Sequence, residues 1–297
     1  MLSLLAEDPA PAPGHRVPTA LAATLALVQA LGDTGIGAPL WCATSGAVAT
    51  GPADPLRHPA QAQVWGLGRV AGAEYPQRWG GLVDLPETLD TRALDLLTGL
   101  LADPGGEDEL AVRATGTLAR RLVRATAEPA APTGEYTLAR PHGTVLVTGG
   151  TGTLGAHVAR WLARSGAVHL VLTSRSGPTA EGAAELREEL AALGCRATIA
   201  SCDAGDRAAL AELLASLPAE HPLTGVIHTA GALDDGVLDA MTTDRLEHVL
   251  RPKAEAALHL HELTAGLDLD FFVLFSSIAG VVGNGGQGGY AAANAHL

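Results

Sequence analysis

A chain of 297 residues exceeds the roughly 100–200 residues of a typical domain, so one large or two moderate domains are expected. Apolar residues make up 47% and charged residues 17%, which excludes a disordered chain, and only 3% aromatics points to small side chains packing helix on sheet. The formal charge of −13, with no basic run, excludes a nucleic-acid or anionic-membrane surface as main partner.

Met1–Leu5 runs directly into Ala-Glu-Asp-Pro, so neither an export leader nor a spanning segment is read there, and a cytoplasmic protein is expected. No strand is expected before Ala20, and the first domain therefore reads as missing its beginning. Helices are expected over Ala20–Leu31, Gln61–Gly72 and Arg92–Leu101, with strands at Pro39–Ala43 and Leu82–Leu85. Leu110–Ala114 and Leu118–Val123 read as a strand pair around Gly116. No glycine fingerprint follows any of these strands, so this half reads as a degenerate, cofactor-free α/β domain with structural work. Cys42, Cys195 and Cys202 lack metal-ligand spacing and read as buried thiols. A proline-rich stretch over 127–140 marks the boundary, giving domains 1–138 and 139–297.

The second half alternates strands and helices. Strands are expected at Thr144–Thr148, Val168–Thr173, Ala197–Ser201, Leu223–Thr229 and Phe271–Ser276. Helices are expected from Thr153, over Glu181–Leu193, Arg207–Leu217 and Arg245–Leu263, and one opening at Tyr290. This is the pattern of a doubly wound parallel sheet with helices on both faces.

The segment Thr148-Gly149-Gly150-Thr151-Gly152-Thr153-Leu154-Gly155 follows a buried strand and opens a helix, which is the setting of a dinucleotide fingerprint. Gly150 permits the turn, Gly152 the approach of backbone N–H groups to pyrophosphate, and Gly155 the packing of helix on strand. The next strand ends in Ser174-Arg175, where an NAD enzyme would carry a carboxylate; arginine suits a 2′-phosphate, hence NADPH. Cys202-Asp203 closes the third strand, and Asp203 reads either as an adenine partner or as the cap of the next helix.

Hydride reduction of a ketone needs a proton donor, a hydroxyl that holds the carbonyl oxygen and a cation beside the donor. Ser276-Ser277 closes the last strand, Tyr290 follows thirteen residues later, and Asn294, one turn on, shares its helix face. With the fingerprint upstream and the loop 283–289 before the tyrosine, the chain resembles the ketoreductase domains of modular polyketide synthases, a complex branch of the short-chain dehydrogenase/reductases. That resemblance implies two Rossmann-like subdomains, with only the second binding NADPH. It assigns Tyr290 as proton donor, Ser277 as carbonyl-orienting hydroxyl, Lys253 as the cation that favours the phenolate form, and Asn294 as the organiser of water beside it, and it counts Lys253 and Tyr290 among the cofactor contacts as well. Thr229-Ala230-Gly231 is the segment expected on the nicotinamide side.

Leu233-Asp234-Asp235 matches the signature of B-type ketoreductases, which make a D-configured hydroxyl. Val282 stands where the A type has tryptophan, and Ala292 where epimerising B types have proline; Gln287 belongs to the same substrate-facing set. The resemblance thus implies non-epimerising reduction of a β-ketoacyl group on the phosphopantetheine arm of an acyl carrier protein, beside other polyketide synthase domains. Members of the family continue past the asparagine into a further strand and lid, so the catalytic half reads as truncated at its C-terminal end. Two other expectations stand beside this one: an impaired fragment acting as a structural or docking module, and a free-standing short-chain alcohol dehydrogenase.

Overall fold

The computed structural model describes residues 1–7, 10–124 and 142–297. The proline-rich boundary over 127–140 lies outside the described residues. Two compact units emerge: Met1–Arg124 with Leu233–Leu250 and Ser276–Leu297, and Ala125–Ala232 with Arg251–Phe275.

The first unit holds β1 (Leu2–Ser3), α1 (Thr19–Asp33), β2 (Leu40–Ser45), α2 (Ala62–Glu74), β3 (Trp79–Leu85), α3 (Thr91–Ala102), β4 (Glu109–Arg113) and β5 (Gly116–Ala119). Its sheet runs β1-β2-β3-β4-β5, parallel except for the β4–β5 hairpin. The absence of a strand before Ala20 is thereby corrected: Leu2 and Ser3 pair with Trp41 and Cys42, a ladder too short to leave a periodic signal.

Side chains alternate across this sheet. Trp41, Ala43, Val83, Leu85, Leu110 and Val112 face α3, which Asp90 caps by accepting the Ala93 N–H at 2.7 Å. On α2, Trp65 donates its indole N–H to Thr44 at 2.9 Å, and Gly68 is so close that a Cβ there would lie 2.8 Å from Leu82. Asp84, fully buried in β3, takes Thr44 Oγ1 at 2.6 Å, the Ala47 N–H at 2.9 Å and Arg113 Nη2 at 2.7 Å. These donors and the arginine compensate the desolvation of its charge.

The second unit contains β6 (Thr144–Thr148), α4 (Thr153–Arg164), β7 (His169–Ser174), α5 (Ala183–Ala192), β8 (Arg196–Ser201), α6 (Arg207–Ala215) and β9 (Leu223–His228). Its sheet is wholly parallel with order β10-β9-β6-β7-β8, β10 being Phe271–Leu274. The fold is therefore two Rossmann-like parallel-sheet subdomains. Val145, Val147, Leu170 and Leu172 pack with α4 and α5 residues on one face. Leu146, Val171 and Val226 pack with Leu210 and Leu260 on the other, which explains why the middle of β6 and β7 is apolar at successive positions. Strand order reverses between β6 and β9, and the carboxyl ends of these strands form the crevice where open α/β sheets take ligands.

The chain forms α7 (Thr243–Leu250) in the first unit and α8 (Ala256–Thr264) in the second, not the single helix expected over Arg245–Leu263. A π-helical turn, Arg251–Glu255, separates them. Pro252 has no N–H to donate and its ring crowds the carbonyl four residues back, so the turn widens there. The first unit closes with α9 (Ala279–Val282) and α10 (Gly288–His296). In it α10 lies on α2: a Cβ on Gly66 would sit 2.3 Å from the Ala291 carbonyl oxygen, so only glycine admits this approach.

Candidate active site

The turn after β6 is built for close backbone approach. Gly149 has φ +68°, and a Cβ there would lie 2.8 Å from Ala230 Cα at the end of β9. Gly150 donates its N–H to the Thr173 carbonyl at 2.9 Å, tying the turn to β7. A Cβ on Gly155 would fall 2.2 Å from the Gly149 oxygen, inside any real contact. The first i to i−4 bond of α4 runs from Ala156 N–H to the Gly152 carbonyl at 2.8 Å, and no side chain caps the helix. The N–H groups of Thr153, Leu154 and Gly155 therefore lack intrahelical acceptors, and Thr151, Gly152, Thr153 and Leu154 are at least partly exposed. This cradle fits the pyrophosphate of a dinucleotide.

Around it, Thr229 donates its N–H and hydroxyl to the Thr148 carbonyl at 3.1 and 2.7 Å, placing Ala230 and exposed Gly231 beside the turn. Ser174 accepts the Gly177 N–H at 3.0 Å, leaving Arg175 exposed at the end of β7. Cys202 is buried, while Asp203 pairs with Arg251 at 3.0 Å and accepts the Gly205 N–H. The cap of α6 is Asp206, which accepts from Ala208 and Ala209, so the capping role considered for Asp203 is corrected. The helix begins at Arg207, four residues after Asp203 and beyond reach of a cap side chain there.

In the same unit, Lys253 lies in the π turn, 5% exposed, and donates Nζ–H to the Phe275 carbonyl at 2.9 Å. Burial pushes its ammonium below the ordinary lysine range. His228, which sequence reasoning left without a role, joins this lysine to the cofactor strand. Its Nε2 donates to the Lys253 carbonyl at 3.0 Å, so its Nδ1 accepts the Thr148 hydroxyl proton at 2.6 Å. Burial holds the imidazole neutral, its pKa pushed down to about 4. Since the unfolded chain takes up this proton near pH 6.5 and the folded one only near 4, stability is complete above 6.5 and is lost as pH falls through that window, by about 3 kcal/mol. Urea midpoints at neutral pH and pH 4.5 should converge in His228→Gln relative to the native chain; equal pH slopes would contradict this.

The phenol and hydroxyl belong to the other unit. Tyr290 stands, half-buried, in the first turn of α10, and Asn294 donates Nδ2–H to its carbonyl at 2.8 Å. Asn294 is 3% exposed and its Oδ1 meets no donor among the described residues. Ser276 donates to the Asn294 carbonyl at 3.0 Å, whereas Ser277 accepts the Ala279 N–H at 3.2 Å. Ser277, Tyr290 and Asn294 thus share one unit, and Lys253 lies in the unit of the cofactor turn.

Leu233 is 63% exposed. Asp234 binds Arg245 Nη2 and Nε at 2.6 and 2.9 Å, and this guanidinium holds its carboxyl below the usual range. Asp235 accepts Gln287 Nε2–H at 3.0 Å. Val282 is exposed at 47%, and Ala292 is wholly buried against Gly66 of α2. Arg245, another residue that sequence reasoning passed over, has the spacing of an ordinary solvated helix charge.

Residues 143–297 match the family described as "KR domain", just over half of the chain. The chain belongs to the KR domain family. It is a ketoreductase domain of the modular polyketide synthase type, an oxidoreductase family dependent on a nicotinamide cofactor. Residues 2–122 match "Polyketide synthase extender module SpnB, Rossmann fold domain". The ketoreductase domain is 53% identical, over its whole length, to 4% of polyketide synthase GfsA of Streptomyces halstedii. It is 53% identical over 92% of its length to 17% of the pikromycin synthase component PikAIII of Streptomyces venezuelae. A solved structure described as an A1-type ketoreductase is 60% identical with TM-score 0.95, covering all of this chain and 62% of its own. A C2-type ketoreductase is 49% identical with TM-score 0.90, covering 99% of this chain and 63% of its own. The chain thus spans under a fifth of these synthases and under two thirds of these solved chains.

Proposed function

We propose that this ketoreductase domain reduces a β-ketoacyl group, carried on the phosphopantetheine arm of an acyl carrier protein, to a D-configured β-hydroxyacyl group without epimerisation, using NADPH. The observation that carries the reading is the glycine cradle at the strand-order reversal, which backbone atoms fill to the exclusion of any Cβ. When bound there, the nicotinamide supplies the hydride. Tyr290 donates the proton from its phenol Oη to the reduced oxygen, and Ser277 Oγ orients the carbonyl. Lys253 supplies the cation, and Asn294 Oδ1, an acceptor in want of a donor, orders the water that reprotonates the phenol. Thr148 to Gly155, Thr229 to Gly231, Cys202 and Asp203 line the cofactor, and Ser174 with Arg175 takes the 2′-phosphate.

Leu233, Asp234 and Asp235, with Val282 in place of tryptophan, support the B-type assignment; Ala292 in place of proline supports reduction without epimerisation, and Gln287 belongs to the same substrate-facing set. An A-type outcome is the second reading, favoured by the description of solved relatives at 60% and 61% identity as A1-type and A-type. Domain limits of 1–138 and 139–297, neighbouring synthase domains as partners and a cytoplasmic setting belong to the same proposal. Among the described residues no helix is long and apolar enough to cross a membrane.

The test is turnover of a diffusible β-ketoacyl thioester with NADPH, followed by chiral analysis of the product. The D-hydroxy thioester supports the B type, the L-product the A type, and NADPH binding without product contradicts both. Arg175→Ala should lower the preference for NADPH over NADH by roughly 10- to 100-fold, the range of one lost charge-assisted bond. An unchanged preference would remove Arg175 from the cofactor site.

A further inference from the structure

Two loops that carry the proposed stereochemical residues are stitched together within the first unit. Gly236 donates its N–H to the Gly286 carbonyl at 2.7 Å, and Gln287 reaches back to Asp235 at 3.0 Å. Across the same pair lies one side chain from the half of the sequence that carries no reaction chemistry. Glu74, the last residue of α2, accepts the Leu238 N–H on Oε2 at 2.8 Å and the Gly286 N–H on Oε1 at 2.7 Å.

The geometry requires a carboxylate. Both donors are backbone N–H groups, so both side-chain oxygens must accept, and a carboxylate has acceptors on each. An amide of the same shape would turn an NH2 group toward one of them, leaving that N–H facing another donor.

The clamp leads directly to the phenol. Leu238 is fully buried, and its Cδ2 lies 2.4 Å from where a Cβ on Gly288 would stand, so its side chain fills the notch at the first residue of α10. Gly286 and Gly288 are four and two residues before Tyr290. Gln29 of α1 fixes the other side of Leu238, donating to the carbonyls of Leu238 and Met241 at 2.7 and 2.8 Å. One carboxylate thus sets the register between the Asp235 loop and the start of the tyrosine helix.

We infer that Glu74 is a positioning residue for the reduction: it holds the loop of Asp235 and the first turn of α10 in one arrangement and so fixes which face of the carbonyl receives hydride. This rests on the function proposed above. It gives the first half a part in selectivity, exerted through backbone contacts and without touching substrate.

The experiment compares the native chain with Glu74→Gln and Gln287→Ala, which cut two different stitches between the same loops. Expected for Glu74→Gln are unchanged NADPH affinity, lower kcat, and about a fivefold rise in the minor hydroxyl configuration, the scale of one lost hydrogen bond. Gln287→Ala should shift the product ratio in the same direction, and the double variant should shift it less than the two single effects combined. If Glu74→Gln does not fold, Glu74→Asp, which keeps the carboxylate and shortens its reach to the Leu238 and Gly286 N–H groups, takes its place with the same expected shift in product ratio. A native product ratio in Glu74→Gln, with only thermal stability reduced, overturns the role of Glu74 whatever Gln287→Ala does. A native chain that binds NADPH yet reduces no β-ketoacyl thioester overturns instead the function on which it rests.

Discussion

Tyr290→Phe is expected to lower kcat for thioester reduction by about 10²–10⁴-fold, the usual worth of a positioned proton donor, with a far smaller effect on NADPH affinity. The substitution deletes one oxygen and keeps the ring. The neighbouring turn of α10 consists of buried alanines, so the helix should hold its place. The glycine turn of the cofactor cradle lies in the other unit, around β6 and β9. Steady-state kinetics with a fluorescence titration of NADPH separate the two quantities. Retention of more than about a tenth of native kcat would mean that another group delivers the proton.

Gly155→Ala is expected to abolish measurable NADPH binding while a matched control does not. The new methyl would sit 2.2 Å from the Gly149 oxygen and 2.6 Å from Gly150 Cα, and neither backbone atom can turn aside as a side chain can. The turn must move by most of an ångström, and displacement on that scale costs about 10²-fold where a ligand is held by aligned N–H groups. Overpacking adds about 1–3 kcal/mol of destabilisation. The control is Gly99→Ala in α3, where a Cβ meets nothing within 4 Å and helix propensity favours alanine by up to about 1 kcal/mol. Native NADPH affinity in Gly155→Ala would contradict the cradle.

The parts that were legible from sequence are those with strong periodicity or punctuation. Thr144–Thr148 and the start of α4 at Thr153 stand as expected, because an unbroken apolar strand runs into three spaced glycines. The π turn was not legible, since Arg251-Pro252-Lys253 continues an amphipathic pattern and a widened turn changes no residue type. Asp203 and Asp206 both precede a helix, and only the true first turn tells which of them caps it. The part played by the first half was hidden by its chemistry. Gly66, Ala291 and Ala292 bring α2 and α10 together through backbone, and small residues carry no periodic signal. Glu74 reads as a solvated charge at a helix end, and only the loops folded over it reveal two N–H groups in want of acceptors. His228 closes β9, and its residue type alone does not show that the fold buries the imidazole and pushes its pKa down to about 4.

Transfer of deuterium from labelled NADPH tests the account most directly. With a β-ketoacyl thioester, one deuterium should appear on the former carbonyl carbon for each NADPH consumed, beside a D-configured hydroxyl. NADPH bound with no deuterium in any product would contradict the account.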